Sequence, residues 1–134
     1  MRANTTTLNR WPMKFSEDNL GEGYYITAYE TGRILVNGRG FEHSFIIAPD
    51  ALVENWAVSH ITQLVPTHYD PILALDPELV ILGTGIVLQF PEVASYAQII
   101  NRGIGVEVMD TAAACRTYNI LMGEGRRVVA GLIL

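Results

Sequence analysis

The spacing of apolar and polar side chains changes rhythm partway along this chain. From Tyr24 to Tyr29 the residues alternate, with Tyr24, Ile26 and Ala28 on one face and Tyr25, Thr27 and Tyr29 on the other, the period of a strand. A second strand is predicted from Arg33 to Val36. It meets Asn37-Gly38, a pair that tolerates positive φ at both turn positions and so suits a type I′ hairpin. Phe41, His43, Phe45 and Ile47 then resume the alternation, so the first third reads as an antiparallel β-meander.

The stretch from Pro49 to Pro77 has no clear period. Asp70-Pro71 looks like a helix start, and Asp76-Pro77 closes a short helical turn around Ile72 to Leu75. Leu79-Val80-Ile81-Leu82 is an unbroken apolar run ending at Gly83, as expected of a strand covered on both faces of a sheet. Pro91 predicts a helix start, with Val93, Tyr96, Ala97 and Ile100 as its apolar stripe and Arg102-Gly103 as its end. Ile104 to Met109 read as the next strand, Asp110-Thr111 as the cap of a helix through Gly123, and Arg127 to Leu134 as the last strand.

Strand, helix, strand, helix, strand favours parallel pairing through right-handed crossovers. The strands at Leu79 and Ile104 are then expected to be neighbours or near-neighbours. The predicted fold class is α/β, an N-terminal antiparallel meander followed by a βαβαβ unit. Residues 1–20 read as a partly ordered tail and 21–134 as one domain, since no Gly/Ser linker, repeat or low-complexity tract divides them.

Composition narrows the function classes. Of 134 residues 49% are apolar and 17% charged, unlike a disordered chain, and a domain near this size buries roughly 70% of its unfolded surface. Nine basic and fourteen acidic residues leave a net charge of −5, with Arg126-Arg127 the one adjacent basic pair. Nucleic-acid binding needs clustered cations against phosphate, so it is not expected. No apolar run approaches the ~20 residues of a membrane-spanning helix, and no membrane span is predicted. A single cysteine, Cys115, cannot form an internal disulfide and fits a reducing cytoplasm. Arg2, Arg10 and Thr5 to Thr7 lie near the start without the apolar core of a secretory signal. Trp11-Pro12 and Glu17-Asp18 oppose a mitochondrial transit peptide.

Several residues are candidates for chemistry. Gly83-Thr84-Gly85 follows a strand, where glycines let amides approach an anion. Leu88 stands where a dinucleotide fingerprint needs its third glycine, no phosphate-loop lysine follows, and the next helix starts too late. A structural turn and a ligand contact both remain open, the turn favoured. Asp110 and Thr111 are expected at the same sheet edge, with helix capping the favoured role. On that helix Ala113, Thr117, Ile120 and Leu121 form the expected inward stripe, leaving Arg116 and Asn119 on the wetter side and Tyr118 at the border. Such a polar trio suits a carboxylate or phosphate, against the plainer reading that Arg116 pairs with Glu107 or Asp110. Cys115, flanked by alanine and far from any histidine in sequence, reads as a small buried hydrophobe. His43, His60 and His68 lack metal-site spacing, and Ser44, Ser59 and Ser95 lack a nucleophile's setting, so neither cofactor nor metal is expected.

Leu82-Gly83-Thr84-Gly85, Phe90-Pro91, the run Arg102-Gly103-Ile104-Gly105-Val106-Glu107-Val108-Met109-Asp110-Thr111, Ala114-Cys115-Arg116-Thr117-Tyr118-Asn119 and Glu124-Gly125-Arg126 carry a resemblance. From Tyr24 to Leu134 the chain resembles a family of small uncharacterised α/β proteins that includes the mitochondrial complex I (NADH dehydrogenase) assembly factor 3. The resemblance implies a three-layer fold around a central mixed sheet. It also implies a non-catalytic interaction or assembly role with a protein partner, in a respiratory-complex context. The chain departs from the mitochondrial pattern in its unconvincing transit segment, which favours a bacterial cytoplasmic relative, or a mitochondrial one if eukaryotic. The alternative reading is a small-molecule or anion-binding domain, or an enzyme, with a crevice at Gly83-Thr84-Gly85.

Overall fold

A computed structural model describes residues 23–134. The tail expected over residues 1–20 lies outside them. Strands β1 (Ile26–Glu30), β2 (Arg33–Val36) and β3 (Arg39–Phe41) form an antiparallel sheet in sequence order. Asn37 and Gly38 take φ of 49° and 86°, so the two-residue connection between β2 and β3 has the positive φ pair that a type I′ turn requires. The predicted meander forms there and then stops. Phe41 and Phe45 do not share a strand: β4 (Phe45–Ala48) leaves for a second sheet, and all four of its residues are buried. Its apparent alternation with Phe41 came from burial on both faces, which a period of two does not distinguish.

The second sheet has five strands in the order β5-β4-β8-β6-β7, adding β5 (Ala51–Val53), β6 (Leu79–Gly83), β7 (Gly105–Met109) and β8 (Val128–Leu132). β6 pairs in parallel with both β7 and β8, as the βαβ pattern predicts for the first pair. β8 also pairs antiparallel with β4, which makes the sheet mixed and joins its two halves. β5 is a three-residue strand that turns back on β4, inside the stretch read as irregular. It is too short to show a period.

Alternation within these strands divides two cores. Phe45, Ile47, Ile81, Val128, Ala130 and Leu132 face one side, where they meet the meander and helix α3 (Thr111–Gly123). Ile46, Ala48, Val80, Leu82 and Val129 face the other, where Trp56, Ile61, Tyr69, Ile72 and Ile99 cover them. The second cover is built from short pieces: 3-10 turns at Ile61–Gln63, Pro66–Tyr69 and Val93–Tyr96, and helices α1 (Asp70–Leu73) and α2 (Ala97–Asn101). α2 and α3 lie on opposite faces, as consecutive right-handed crossovers require when the chain moves out from β6 to β7 and then back across β6 to β8.

Both helix stripes predicted from the sequence are out of phase. Around Pro91 the chain makes a 3-10 turn before α2, and the inward residues are Ser95 and Ile99, whereas Val93 and Ile100 are exposed. The tighter turn advances the helix by about one position. In α3 the buried residues are Thr111, Ala114, Cys115, Tyr118, Asn119 and Met122, while Ile120 points to solvent. Tyr118 and Asn119 are therefore core, because their polar groups find backbone partners that hydrophobicity alone does not register.

Both helices end alike. Gly103 and Gly125 have φ near +80°, and the amides that follow, Ile104 and Arg126, donate back to Ile99 and Leu121, so each end is a Schellman motif. Gly131 has a different reason. A Cβ there would stand 2.7 Å from Trp56 Cη2, so the bare backbone lets the indole lie on β8. Gly131→Ala is expected to destabilise the fold by about 1 to 3 kcal/mol through overpacking, read as a lower urea midpoint with altered Trp56 fluorescence.

Candidate functional site

The predicted site residues separate into three places. Gly83, Thr84, Gly85, Asp110 and Thr111 come together at the carboxyl ends of β6 and β7, as expected. The Thr84 amide donates to the Met109 carbonyl, and the Thr111 amide donates to the Gly85 carbonyl, each over 2.9 Å. The buried Thr111 hydroxyl accepts from the Gly85 amide at 2.8 Å and donates to the Ile133 carbonyl at 2.6 Å. One side chain thus ties three segments. A Cβ on Gly83 would fall 2.9 Å from that hydroxyl, so glycine here permits close contact between α3 and β6.

This arrangement bears on the anion reading. An anion-binding turn presents free amides, and the amides of Thr84 and Gly85 both already donate inward. The Thr84 hydroxyl donates to the Val87 carbonyl at 2.8 Å and accepts from the Gln89 amide at 3.2 Å, which ties down the loop that follows. Asp110 takes the N-cap position of α3, its carboxylate accepting from the Ala113 amide at 2.9 Å. An Asp at this end of a helix also faces the positive pole of the dipole.

Arg116 stands apart. It is half-buried and makes no salt bridge to Glu107 or Asp110. Tyr118 and Asn119 lie deeper, against the meander. The Tyr118 hydroxyl donates to the Tyr24 carbonyl at 2.7 Å, and burial pushes its pKa well above the usual tyrosine range. Asn119 accepts from the Ile26 amide at 2.9 Å and donates to the Ile26 carbonyl at 2.7 Å. Both groups serve the seam between helix and meander.

Burial also pushes the Cys115 thiol far above its ordinary value, the opposite of what an active nucleophile needs. Arg126 and Arg127, the one basic pair, are engaged with Glu78 and Asp50, each over 3.0 Å. Donation from the Arg127 amide and from Arg126 holds the Glu78 carboxyl below the usual range.

Two hollows open beside the Thr84 loop. One, of about 220 Å³, is walled by residues including Ser59, His60, Thr84, Ile86 and Val87. The next, of about 170 Å³, is walled by Ile61, Thr62, Leu64, Phe90, Pro91 and Glu92. Between Ile86 and Val93 five large apolar side chains are exposed. The pattern of the sequence passes over them, since an apolar run beside a strand reads as core. The available signal is the bracketing of the first four by Gly85 and Pro91, which marks a loop.

The buried polar contacts carry two predictions. Asn119→Leu keeps the approximate volume but leaves the amide and carbonyl of Ile26 without partners, at about 1 to 3 kcal/mol for each such group. A loss of at least about 2 kcal/mol in urea unfolding is expected. Asp110→Ala should cost about 0.5 to 2 kcal/mol, and Asp110→Asn should recover most of it, because capping requires an acceptor rather than a charge. Equal stability of Asp110→Ala and the parent would remove the capping assignment.

Comparison with known proteins places this architecture. Residues 26–133 match the family described as "Protein of unknown function (DUF498/DUF598)". A "13 kDa major membrane protein" of Francisella tularensis subsp. holarctica is 30% identical over 117 residues, covering 87% of this chain and 95% of that protein. The human "NADH dehydrogenase [ubiquinone] 1 alpha subcomplex assembly factor 3" is 31% identical over 114 residues, covering 84% of this chain. The match spans only 61% of the assembly factor's own length. A solved Mth938-like domain from Bordetella pertussis superposes with a TM-score of 0.74 at 32% identity, covering 90% of this chain and 92% of that one. Sequence family and fold agree over nearly all the described residues: the chain belongs to the DUF498/DUF598 family of proteins of unknown function, which is related to complex I assembly factor 3.

Proposed function

We propose that this protein acts by holding another protein during assembly rather than by catalysis. The observation that carries the reading is the similarity to the vertebrate assembly factors, about 30% identical over more than four-fifths of the chain, as with the human protein. The side chains with nucleophilic atoms support it. The hydroxyls of Thr84, Ser95 and Thr111 are each engaged in internal hydrogen bonds, and the Cys115 thiol is buried with a raised pKa. In this reading Gly83, Thr84, Gly85, Asp110 and Thr111 shape the surface that a partner meets, Tyr118 and Asn119 hold the helix beneath it, and Arg116 is left available for a contact. Residues 21–134 act as one unit.

The site of action we propose is the cytoplasm of a bacterium, with an NADH dehydrogenase subunit or subassembly as partner. No described helix is long and apolar enough to cross a membrane. Deleting the gene in its own organism is expected to lower membrane NADH dehydrogenase activity several-fold. A subassembly should accumulate on native gels and co-purify with the tagged protein. Normal activity and a normal assembly pattern in the deletion strain would overturn the reading.

A further inference from the structure

Among the described residues the buried polar side chains are Ser44, Thr84, Ser95, Thr111 and Asn119. Four of them are answered from within: Thr84 donates to the Val87 carbonyl, Ser95 to Glu92, Thr111 to Ile133 and Asn119 to Ile26. Ser44 is the exception. It is 5% exposed, and its hydroxyl makes no hydrogen bond among the described residues. A hydroxyl buried in this way costs free energy, and in folded proteins such a group normally meets a water or a ligand.

The unanswered hydroxyl has room beside it. Ser44 borders a hollow of about 410 Å³, whose other buried walls are Trp56 and Val58 and whose rim carries the exposed Glu42, His43 and Ser59. Ser44 directly precedes β4, where Ile46 and Ala48 face the Trp56 side of the sheet, and the same alternation turns the Ser44 side chain to that side. The hollow is larger than either one beside the Thr84 loop, and the Gly83 to Gly85 turn takes no part in it. Its volume lies within the roughly 300 to 1,000 Å³ of small-molecule sites.

The walls select what can enter. The Trp56 indole N–H donates to the His68 carbonyl at 2.9 Å, which leaves ring carbon to the hollow. The Ser59 amide and hydroxyl both donate to the Gln63 side chain, at 2.7 and 3.2 Å. At the rim Glu42 faces Arg33 across 3.9 Å, and His43 is exposed, so solvent serves its ring. The floor therefore offers a guest apolar surface and one neutral hydroxyl. A charged group carried to that floor would exchange its hydration for a single hydroxyl, so the end that enters must be uncharged.

We propose that this hollow binds a small uncharged molecule, an apolar body of about one aromatic ring bearing an amide or hydroxyl group that exchanges a hydrogen bond with Ser44. The site goes beyond the protein-holding role and does not depend on it.

Benzamide, toluene, benzoate and benzylammonium carry one ring each and differ in its substituent, so they separate the contributions. Followed through backbone amide signals of the full chain, benzamide is expected to bind with a Kd on the order of a millimolar, as suits so small a molecule, and to shift residues 42–44 and 56–59. Both ions should bind at least about tenfold more weakly. Ser44→Ala should weaken benzamide about fivefold, the worth of one hydrogen bond, and leave toluene within about twofold. Its urea midpoint should equal or exceed that of the parent, since the hydroxyl removed has no protein partner to lose. A lower midpoint would overturn the proposal by showing that the hydroxyl serves the fold. Equal benzamide binding by Ser44→Ala and the parent would do the same, leaving the hydroxyl to water alone. So would an ion that binds as tightly as benzamide, or unshifted signals in those two segments in saturated benzamide. The assembly reading stands or falls separately, on the deletion strain.

Discussion

Asn119 sits fully buried in α3, with its amide oxygen accepting from the Ile26 N–H and its amide nitrogen donating to the Ile26 carbonyl. A side-chain amide here does what a neighbouring strand would do, at the point where the β1 register against β2 slips. Without it, two backbone groups would be sealed in an apolar seam at a cost comparable to a large share of the stability of a small domain. The three-stranded sheet makes no ladder with the five-stranded one. Its attachment rests on apolar packing plus this pair of bonds, the Tyr118 hydroxyl to Tyr24, the Tyr24 amide to Pro49, and the exposed ion pair of Arg39 with Glu54.

The far end of the same helix repeats the device. Thr111 takes the Gly85 amide and donates to the Ile133 carbonyl, so the turn after β6, the start of α3 and the end of β8 meet at one hydroxyl. α3 is therefore fixed at its start to the parallel half of the sheet and along its length to the meander. That rigidity has a functional side. Because the amides of Thr84 and Gly85 are engaged below, the loop beyond them is left to present side chains, and the side chains it presents are apolar. A scaffold holding out an apolar loop suits protein recognition better than capture of a phosphate, which needs free donors and positive charge.

Much of this was legible in the residues themselves. The Asn37-Gly38 hairpin, the strand at Leu79, the Asp110 cap, and the glycine stop at Gly103 each follow from local chemistry: permitted φ, a side-chain acceptor, or an unbroken apolar run. Such signals depend on a few neighbouring residues and survive whatever the rest of the chain does. The parallel pairing of the strands at Leu79 and Ile104 was legible too, because an intervening helix leaves few other ways to connect them.

What tertiary structure alone decided is which partner each residue meets. β8 inserts between β4 and β6, a choice among strands that look equally apolar in sequence. Asn119 and Tyr118 turn inward because backbone groups from β1 and the residues before it wait there, more than ninety positions away along the chain. Ile120 turns out for the same reason, since a helix has one phase and its polar residues set it here. The outward loop at Ile86 to Phe90 is the converse, apolar in composition yet exposed, because Thr84 and Pro91 hold its ends and the sheet face beneath is already covered by Trp56, Ile61 and Tyr69. Local sequence chemistry determined where elements begin and end; long-range hydrogen bonding and close packing decided which faces are buried, because those energies belong to pairs of segments and not to either segment alone.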